Sequence, residues 1–370
     1  MFLFIFFIAS ELLVPVVILQ HFGRRSKLQV WLLCIVHAAL SVLFWALYIK
    51  TKAYSGAFDA PANIYGLMLM TGTVSAVMIP RGIFIITHFA GKLLRRKTGG
   101  CIKWLTDAGT TIASAVFIII AAGTLYGRFN VKIDRVEIPV EGLHDDLDGL
   151  KIVQISDLHL AGFHSHGKVL LEYMNIINSL APDLLINTGD FVSYGWREFD
   201  SYDTILSRAG SRYGSFAVLG NHDFGTYHPY FNDKEREHNI RMINQKVKSS
   251  GYTVLNNEHA TVNVGDAIIG IAGVTAVGRH PDISHGSIDS AMQGLGSVDL
   301  TIALSHDPNH FAEAIEGQTG IDITLSGHTH GMQMGVNGKR FRWSPSQYLY
   351  PHWNGIYRSG RQYHYVNRGL

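Results

Sequence analysis

Five apolar, β-branched runs in this chain each lead into a short polar motif of metal-ligand type, and few folds accommodate that pattern. Residues 150–155 lead to Asp157-Leu158-His159, and residues 184–187 lead to Gly189-Asp190. Residues 216–219 lead to Gly220-Asn221-His222-Asp223, residues 300–304 to Ser305-His306, and residues 321–325 to Gly327-His328-Thr329-His330. Short apolar runs bounded by turn residues read as buried strands. Open α/β sheets place their sites in loops at the carboxyl ends of strands. Taken singly these motifs are commonplace: Gly-Asp is usually a turn, an Asp after a strand often caps a helix, and His-Thr-His is often incidental. All five together, each on a strand end, point to a metal centre.

The residue types suit a pair of cations. Two divalent ions about 3.5–4 Å apart supply a nucleophilic hydroxide at neutral pH and offset charge on phosphoryl oxygens. A pair that close needs a shared anionic ligand. Asp190 suits this role, and Gly189 lets the backbone turn sharply just before it. Carboxylate, amide oxygen and imidazole together favour Mn, Fe or Zn over Mg or Ca, which prefer oxygen shells. Gly220 and Gly327 are placed to admit a close backbone approach.

The motif order resembles the calcineurin-like metallophosphoesterases over residues 150–370. Phe216-Ala217-Val218-Leu219, the segment Gly327-His328-Thr329-His330-Gly331-Met332-Gln333, Gly355-Ile356-Tyr357 and Val366-Asn367-Arg368-Gly369-Leu370 narrow the resemblance to the membrane-attached, YkuE-like branch. Met332 stands where that branch usually has a second glycine. Members usually run on into a final loop and strand, so the last strand here is expected to be missing or differently built. The resemblance implies an α/β domain of two packed mixed sheets flanked by helices. It implies a first metal site of Asp157, His159 and His330, a second of Asn221, His306 and His328, and Asp190 bridging them. His222 would lie over the phosphate and stabilise it or protonate the leaving oxygen, with Asp223 holding its imidazole and raising its pKa.

Composition separates the chain into two parts. At 370 residues it exceeds the usual size of a single core. Its apolar content is 47% and its charged content only 16%, and the apolar surplus sits in the first 127 residues. Residues 1–22, 30–49, 64–88 and 106–126 have spanning length. The first lacks the basic n-region and cleavage site of a signal peptide. The expected organisation is a transmembrane region of about four helices over residues 1–127, a linker and entry strand over 128–149, and the metallophosphoesterase domain over 150–370. In the linker, Val131, Ile133, Val136 and Ile138 fall near a two-residue period, as in a half-buried strand. Glu11 and Arg81 lie inside spans. We read Glu11 as facing the bundle and Arg81, beside Pro80, as marking a kink or an interface.

Cys34 and Cys101 are the only cysteines, which excludes a disulfide framework and a thiolate metal site. The net charge of +2 is uninformative, and no basic face interleaved with aromatics suggests nucleic acid. The loops after the first and third spans carry Arg24, Arg25, Lys27, Lys92, Arg95, Arg96, Lys97 and Lys103. Lys50, Lys52, Arg128, Lys132 and Arg135 lie on the other side, eight against five. The positive-inside rule then makes this a multi-pass protein with an extracytoplasmic catalytic domain.

A tethered site favours a lipid-linked substrate by effective concentration. The resemblance suggests UDP-2,3-diacylglucosamine, a precursor of lipid A that faces the cytoplasm, in conflict with the charge count. An envelope phosphodiester or phosphomonoester keeps the outward orientation. A sensor that only binds phosphate ligands is the rival of another class, and the retained His222 argues against it. His164 and His166 read as solvated loop residues and His310 as structural. The run Tyr348-Leu349-Tyr350-Pro351-His352-Trp353 is either a contact for a lipid or sugar or a packed edge loop.

Overall fold

The computed structural model describes residues 2–23, 26–52, 58–98, 103–277, 286–317, 320–333, 335–337 and 342–370. Arg24, Arg25 and Cys101 lie outside the described residues. By contacts the chain divides into two units, Met1–Ala57 with Tyr65–Asn130, and Phe58–Ile64 with Val131–Leu370.

The N-terminal unit is helical: α1 (Phe2–Phe22), α2 (Lys27–Lys52), α3 (Pro61–Thr98) and α4 (Lys103–Leu125). All four are long and apolar enough to cross a membrane. The third differs from the expected span. It runs for 38 residues, about 57 Å at 1.5 Å per residue, through Pro80 and on through the basic tail Lys92 to Lys97. Lysine and arginine are good helix formers, and cations favour a helix C-terminus, so the tail prolongs the helix instead of forming a loop.

Glu11 and Arg81 meet. Arg81 Nη1 donates to Glu11 Oε1 at 2.9 Å and Arg81 Nη2 to Ser41 Oγ at 2.7 Å. Ser41 Oγ donates in turn to Glu11 Oε2 at 2.6 Å, and His37 Nε2 lies 3.2 Å from that oxygen. The expected kink or interface role of Arg81 is therefore better described as a partly buried ion pair that joins α1, α2 and α3. Charges inside a membrane persist when paired in this way.

The C-terminal unit begins without the expected entry strand. Residues 130–140 form no strand, and Val131, Ile133 and Val136 are exposed. Only Ile138 and Val140 reach the core. The first sheet then alternates with helices: β1 (Ile152–Ile155), α5 (Gly167–Ser179), β2 (Leu184–Asn187), α6 (Asp203–Leu206), β3 (Gly214–Ala217), α7 (Asp233–Ser249) and β4 (Thr253–Val254). Its order is β1-β2-β3-β4, parallel throughout and not mixed. The α7 helix opens on a capping box, in which Asn232 Oδ1 accepts from Glu235 N and Glu235 Oε2 from Asn232 N. It buries Asn239, Ile243 and Val247, one face at four-residue spacing.

The second sheet is built from β5 (Glu258–Val264), β6 (Ala267–Val274), β7 (Leu300–Ser305), β8 (Ile323–Ser326), and, after the small ribbon β9 (Val336–Asn337) and β10 (Arg342–Trp343), β11 (Gly355–Ser359) and β12 (Gln362–Val366). Helix α8 (Ile288–Met292) packs against β6. The order is β11-β12-β8-β7-β6-β5. Strands β6, β7, β8 and β12 are parallel, with antiparallel edges. Here β12 pairs with β8, so the last described strand lies beside a ligand-bearing one.

Strand periodicity sets the core. Leu184, Ile186, Phe216 and Val218 from the first sheet meet Ile269, Ile271, Ile302, Leu304, Ile323 and Leu325 from the second. Alternate residues of the second sheet, Ala272, Val274 and Ala303, face Ile288 and Phe311. Each fully buried aliphatic side chain contributes about 1.5–3 kcal/mol.

Truncating either member of the Glu11–Arg81 pair should destabilise the helical unit by about 3–5 kcal/mol, because the other charge is left buried and unpaired. Replacing both with leucine should recover most of that loss. Thermal unfolding of Glu11→Ala, Arg81→Ala and the double variant in detergent would test this. Unfolding temperatures unchanged in the single variants would refute a structural role for the pair.

Candidate metal centre

The carboxyl ends of β1, β2, β3, β7 and β8 carry all the expected ligands, so the centre lies where the two sheets face each other. Asp157, His159, Asp190 and His330 offer ligand atoms within 4.8 Å of one another, as do Asp190, His306 and His328. Asp190 belongs to both groups. Its Oδ2 lies 3.1 Å from His306 Nε2 and 3.9 Å from His159 Nε2, while Oδ1 accepts from the His222 backbone N–H at 2.9 Å. Asp157 Oδ1 lies 3.2 Å from His330 Nε2, and both its oxygens accept from His328 N.

Asn221, the other expected ligand, carries a different signal. Its Nδ2 donates to Tyr227 Oη at 3.0 Å, but its buried Oδ1 has no hydrogen-bond partner. A buried carbonyl oxygen without a donor is costly unless a cation meets it. The set of two buried carboxylates, an orphaned amide oxygen and four imidazoles fits divalent cations.

The imidazoles are oriented from behind. His306 Nδ1 donates to the Thr188 carbonyl at 2.7 Å, His159 Nδ1 meets Ser193 Oγ at 2.9 Å, and His328 Nε2 meets Tyr350 Oη at 2.9 Å. In His306 and His159 the outer nitrogen is thereby occupied and Nε2 faces Asp190, the usual arrangement around a metal. Of the aromatic run near the C-terminus, Tyr350 contacts His328, a candidate metal-ligating residue.

Electrostatics agree. Among the described residues the ion pairs of Asp157 and Asp190 are all with histidines. Burial works to raise the Asp157 carboxyl, but His330 and His306 hold it well below the usual range; Asp190 is held down likewise by His306 and His222. Burial opposes the charge on His306, yet Asp190 raises it to about 10. Burial with His330 and His222 nearby lowers His159 to about 3. The two buried carboxylates thus favour positive charge beside them.

The backbone is strained here. Asp157, His159, Asp190, His328 and His330 all have positive φ, from 42° to 72°, which makes five of the seven expected ligands left-handed. Such residues cost about 1–3 kcal/mol each and gather at functional sites. Glycine is required at two neighbours. A Cβ on Gly220 would overlap Asp190 Oδ1, and one on Gly327 would overlap Ser156 Oγ and stand 2.5 Å from Asp157 Oδ2.

His222 lies beside this group, its ring 4.9 Å from that of His159 and stacked on Tyr227 at 4.3 Å. The expected partner is wrong. Asp223 does not hold the imidazole; its carboxylate accepts from Gly220 N at 2.9 Å, Asp190 N at 3.0 Å and Val192 N at 3.1 Å. It ties the β3 loop to the β2 loop, and burial together with Asp190 raises it to about 8. The His222 ring instead donates from Nδ1 to the Ser193 carbonyl at 2.8 Å. Adjacency in sequence misled, because a tight turn sends neighbouring side chains in different directions.

Of the other histidines, His310 Nδ1 meets Ser305 Oγ at 2.8 Å, a structural bond, and His166 Nδ1 donates to the His164 carbonyl. Neither joins the ligand groups. Ser193, Glu198, Tyr227 and Tyr350 were not singled out from the sequence. Only Tyr350 lay in a run marked for attention.

Residues 150–332 match the model of the calcineurin-like phosphoesterase family. The chain is 30% identical over 271 residues to a transmembrane protein with metallophosphoesterase domain of Danio rerio, covering 68% of this chain and 57% of that protein. It is 28% identical over 228 residues to the metallophosphoesterase YkuE of Bacillus subtilis, covering 60% of this chain and 72% of that one. It is 26% identical over 250 residues to the UDP-2,3-diacylglucosamine pyrophosphatase LpxG of Chlamydia muridarum, covering 57% and 72%. The match spans little more than half the length of the Danio rerio relative.

If Asp190 is shared, Asp190→Asn should lower the content of every bound cation together and abolish hydrolysis. Adding Mn to the unsubstituted protein should raise its unfolding temperature, because ions bound only to the native state stabilise it, and the variant should lose that rise. Full metal content with normal turnover in Asp190→Asn would refute the assignment.

Proposed function

We propose that this chain, whose residues 150–332 form a calcineurin-like metallophosphoesterase domain, is a membrane-anchored hydrolase of a phosphate or pyrophosphate ester. The observation that carries this reading is Asp190, common to two ligand groups and set beside His222. The reading assigns two divalent cations, Mn, Fe or Zn, with Asp157, His159, Asp190 and His330 holding one and Asp190, Asn221, His306 and His328 the other. When bound they supply an activated water and charge compensation at the phosphoryl group.

The remaining work falls to the side chains. A carbonyl can only accept, so the bond to Ser193 fixes the His222 proton on Nδ1. That leaves Nε2 to face the phosphate and, when protonated, to donate to the leaving oxygen. Asp223 holds the two ligand loops together through backbone N–H groups and takes no proton from substrate.

A lipid-linked substrate is our reading of the substrate class. Tyr227, Tyr230, Met332, Tyr348 and Leu349 are large, apolar and exposed, and all lie in the loops that carry His222, His330 and Tyr350. The LpxG relative is named for a pyrophosphatase of a nucleotide-linked lipid, which makes UDP-2,3-diacylglucosamine the first candidate.

The other reading, an envelope phosphodiester or phosphomonoester, rests on topology. Phe58 and Asp59, just before the span that starts at Pro61, belong by contacts to the catalytic unit. The Phe58 ring lies 4.9 Å from that of Tyr194, and Asp59 Oδ1 accepts from Arg197 at 2.8 Å. The loop between the second and third spans and the catalytic domain are then on one side of the membrane. Two crossings between them satisfy this for either orientation, and the outward one rests on the charge count alone.

Full-length protein in micelles should turn over UDP-2,3-diacylglucosamine or an undecaprenyl-type pyrophosphate more efficiently than soluble UDP-sugars. Equal efficiency would remove the lipid reading and leave the hydrolase. No turnover of these or of p-nitrophenyl phosphate with added Mn would remove the hydrolase reading itself.

Alkaline phosphatase fused after Leu370 should be active, and a reporter that requires the cytoplasm should be silent at the same junction. The reverse pattern would place the domain inside and exclude the envelope substrate.

A further inference from the structure

Glu198 is an acid that the hydrolytic reading does not use, and it is fully buried. It lies in a short turn, Trp196–Phe199, whose last residue stacks on Phe191 at 5.9 Å, directly after Asp190 in sequence. Its carboxylate accepts from backbone N–H groups alone among its described hydrogen bonds. Both oxygens accept from Ser193 N at 2.9 Å, and Oε1 accepts from Tyr194 N at 2.6 Å and Gly195 N at 3.2 Å. Burying a carboxylate is expensive, and charge-assisted bonds from several N–H groups offset the cost.

What this carboxylate grips is specific. Ser193 presents two groups to the centre. Its carbonyl accepts from His222 Nδ1 at 2.8 Å, and its Oγ meets His159 Nδ1 at 2.9 Å. The orientation of the Ser193 peptide therefore decides where the His222 ring points. Among the described residues no other hydrogen bond to the His222 ring fixes its rotation, since Asp223 faces the backbone and Tyr227 only stacks on the ring face.

We propose that Glu198 is a positioning residue for proton transfer: it fixes the backbone of residues 193–195 so that the Ser193 carbonyl holds His222 with Nε2 turned to the phosphate. This rests on the role given to His222 above. Glu198 touches neither substrate nor ligand atoms and acts only through Ser193. A displacement of about 1 Å in such a framework costs up to about a hundredfold in rate.

Glutamine at this position keeps the volume and one acceptor, but its amide N–H₂ opposes the Ser193 N–H. The test is a double-mutant cycle on full-length, Mn-loaded protein in micelles, with p-nitrophenyl phosphate and an alkyl phosphate as probes. His222→Ala should lose about 10²–10⁴ in kcat on the alkyl ester and less on the p-nitrophenyl ester, which needs no proton. Glu198→Gln should lose about ten- to a hundredfold on the alkyl ester, less on the p-nitrophenyl ester, with KM and metal content unchanged. Combined with His222→Ala it should cost nothing further, since both substitutions remove one interaction. If Glu198→Gln does not fold, Glu198→Asp, which keeps the charge and shortens the reach, enters the same cycle. Losses that are equal for the two esters, or that multiply fully in the double variant, would overturn the positioning role and leave the hydrolase reading intact. No leaving-group-dependent loss in His222→Ala would remove the proton-donor reading and this proposal together.

Discussion

Two carboxylates buried at the carboxyl ends of β1 and β2 set the terms for the rest of the catalytic unit. Asp157 and Asp190 are each 1% exposed, and no described lysine or arginine pairs with them. Left alone, such charges would destabilise the fold by several kcal/mol each. The imidazoles from β7 and β8 answer that demand, and the two sheets come together where they do so. The inter-sheet bonds of Gln154 to the Ser326 carbonyl and of His306 to the Thr188 carbonyl lie on this seam. The apolar residues between the sheets provide the cohesion, and the carboxylates fix which strand ends face each other.

The same demand accounts for the strain in the ligand loops. Five left-handed residues and two glycines that admit no Cβ are expensive backbone, held by hydrogen bonds that reach across the site. Asp223 gathers three N–H groups from two loops, and Glu198 gathers the next stretch. Each buried acid thus uses backbone donors to set the position of a loop that a functional side chain rides on. The strand ends supply rigid bases, and these acids carry that rigidity outward to His222.

The helical unit applies a similar principle in an apolar setting. Arg81, Glu11, Ser41 and His37 satisfy one another across three helices. Three helices joined in this way form a packed body, where a single helix would suffice as an anchor. Phe58 and Asp59, held by Tyr194 and Arg197, belong by contacts to the catalytic unit although they precede α3 in the chain.

Much of this was legible in the residues themselves. The four helices, the two-part organisation and the strands under the motifs followed from apolar runs, because hydrophobic period is a local property; the division of the ligands into two groups was an implication of the family resemblance. What the sequence misjudged depended on distant partners. The period at residues 131–138 suggested a strand, but no partner strand pairs with it, and a strand needs one. Asp223 beside His222 suggested a pair, but a tight turn aims them apart. Glu198 and Ser193 carry no motif, since their partners are backbone groups and a histidine on another strand. Arg81 and Glu11 are 70 residues apart, and only packing brings them together. The sequence by itself determined which residue types stand at the strand ends and which segments are apolar enough for a membrane. Tertiary structure alone decided which of them touch, because hydrogen bonds and buried charges are settled between elements that the chain order does not pair.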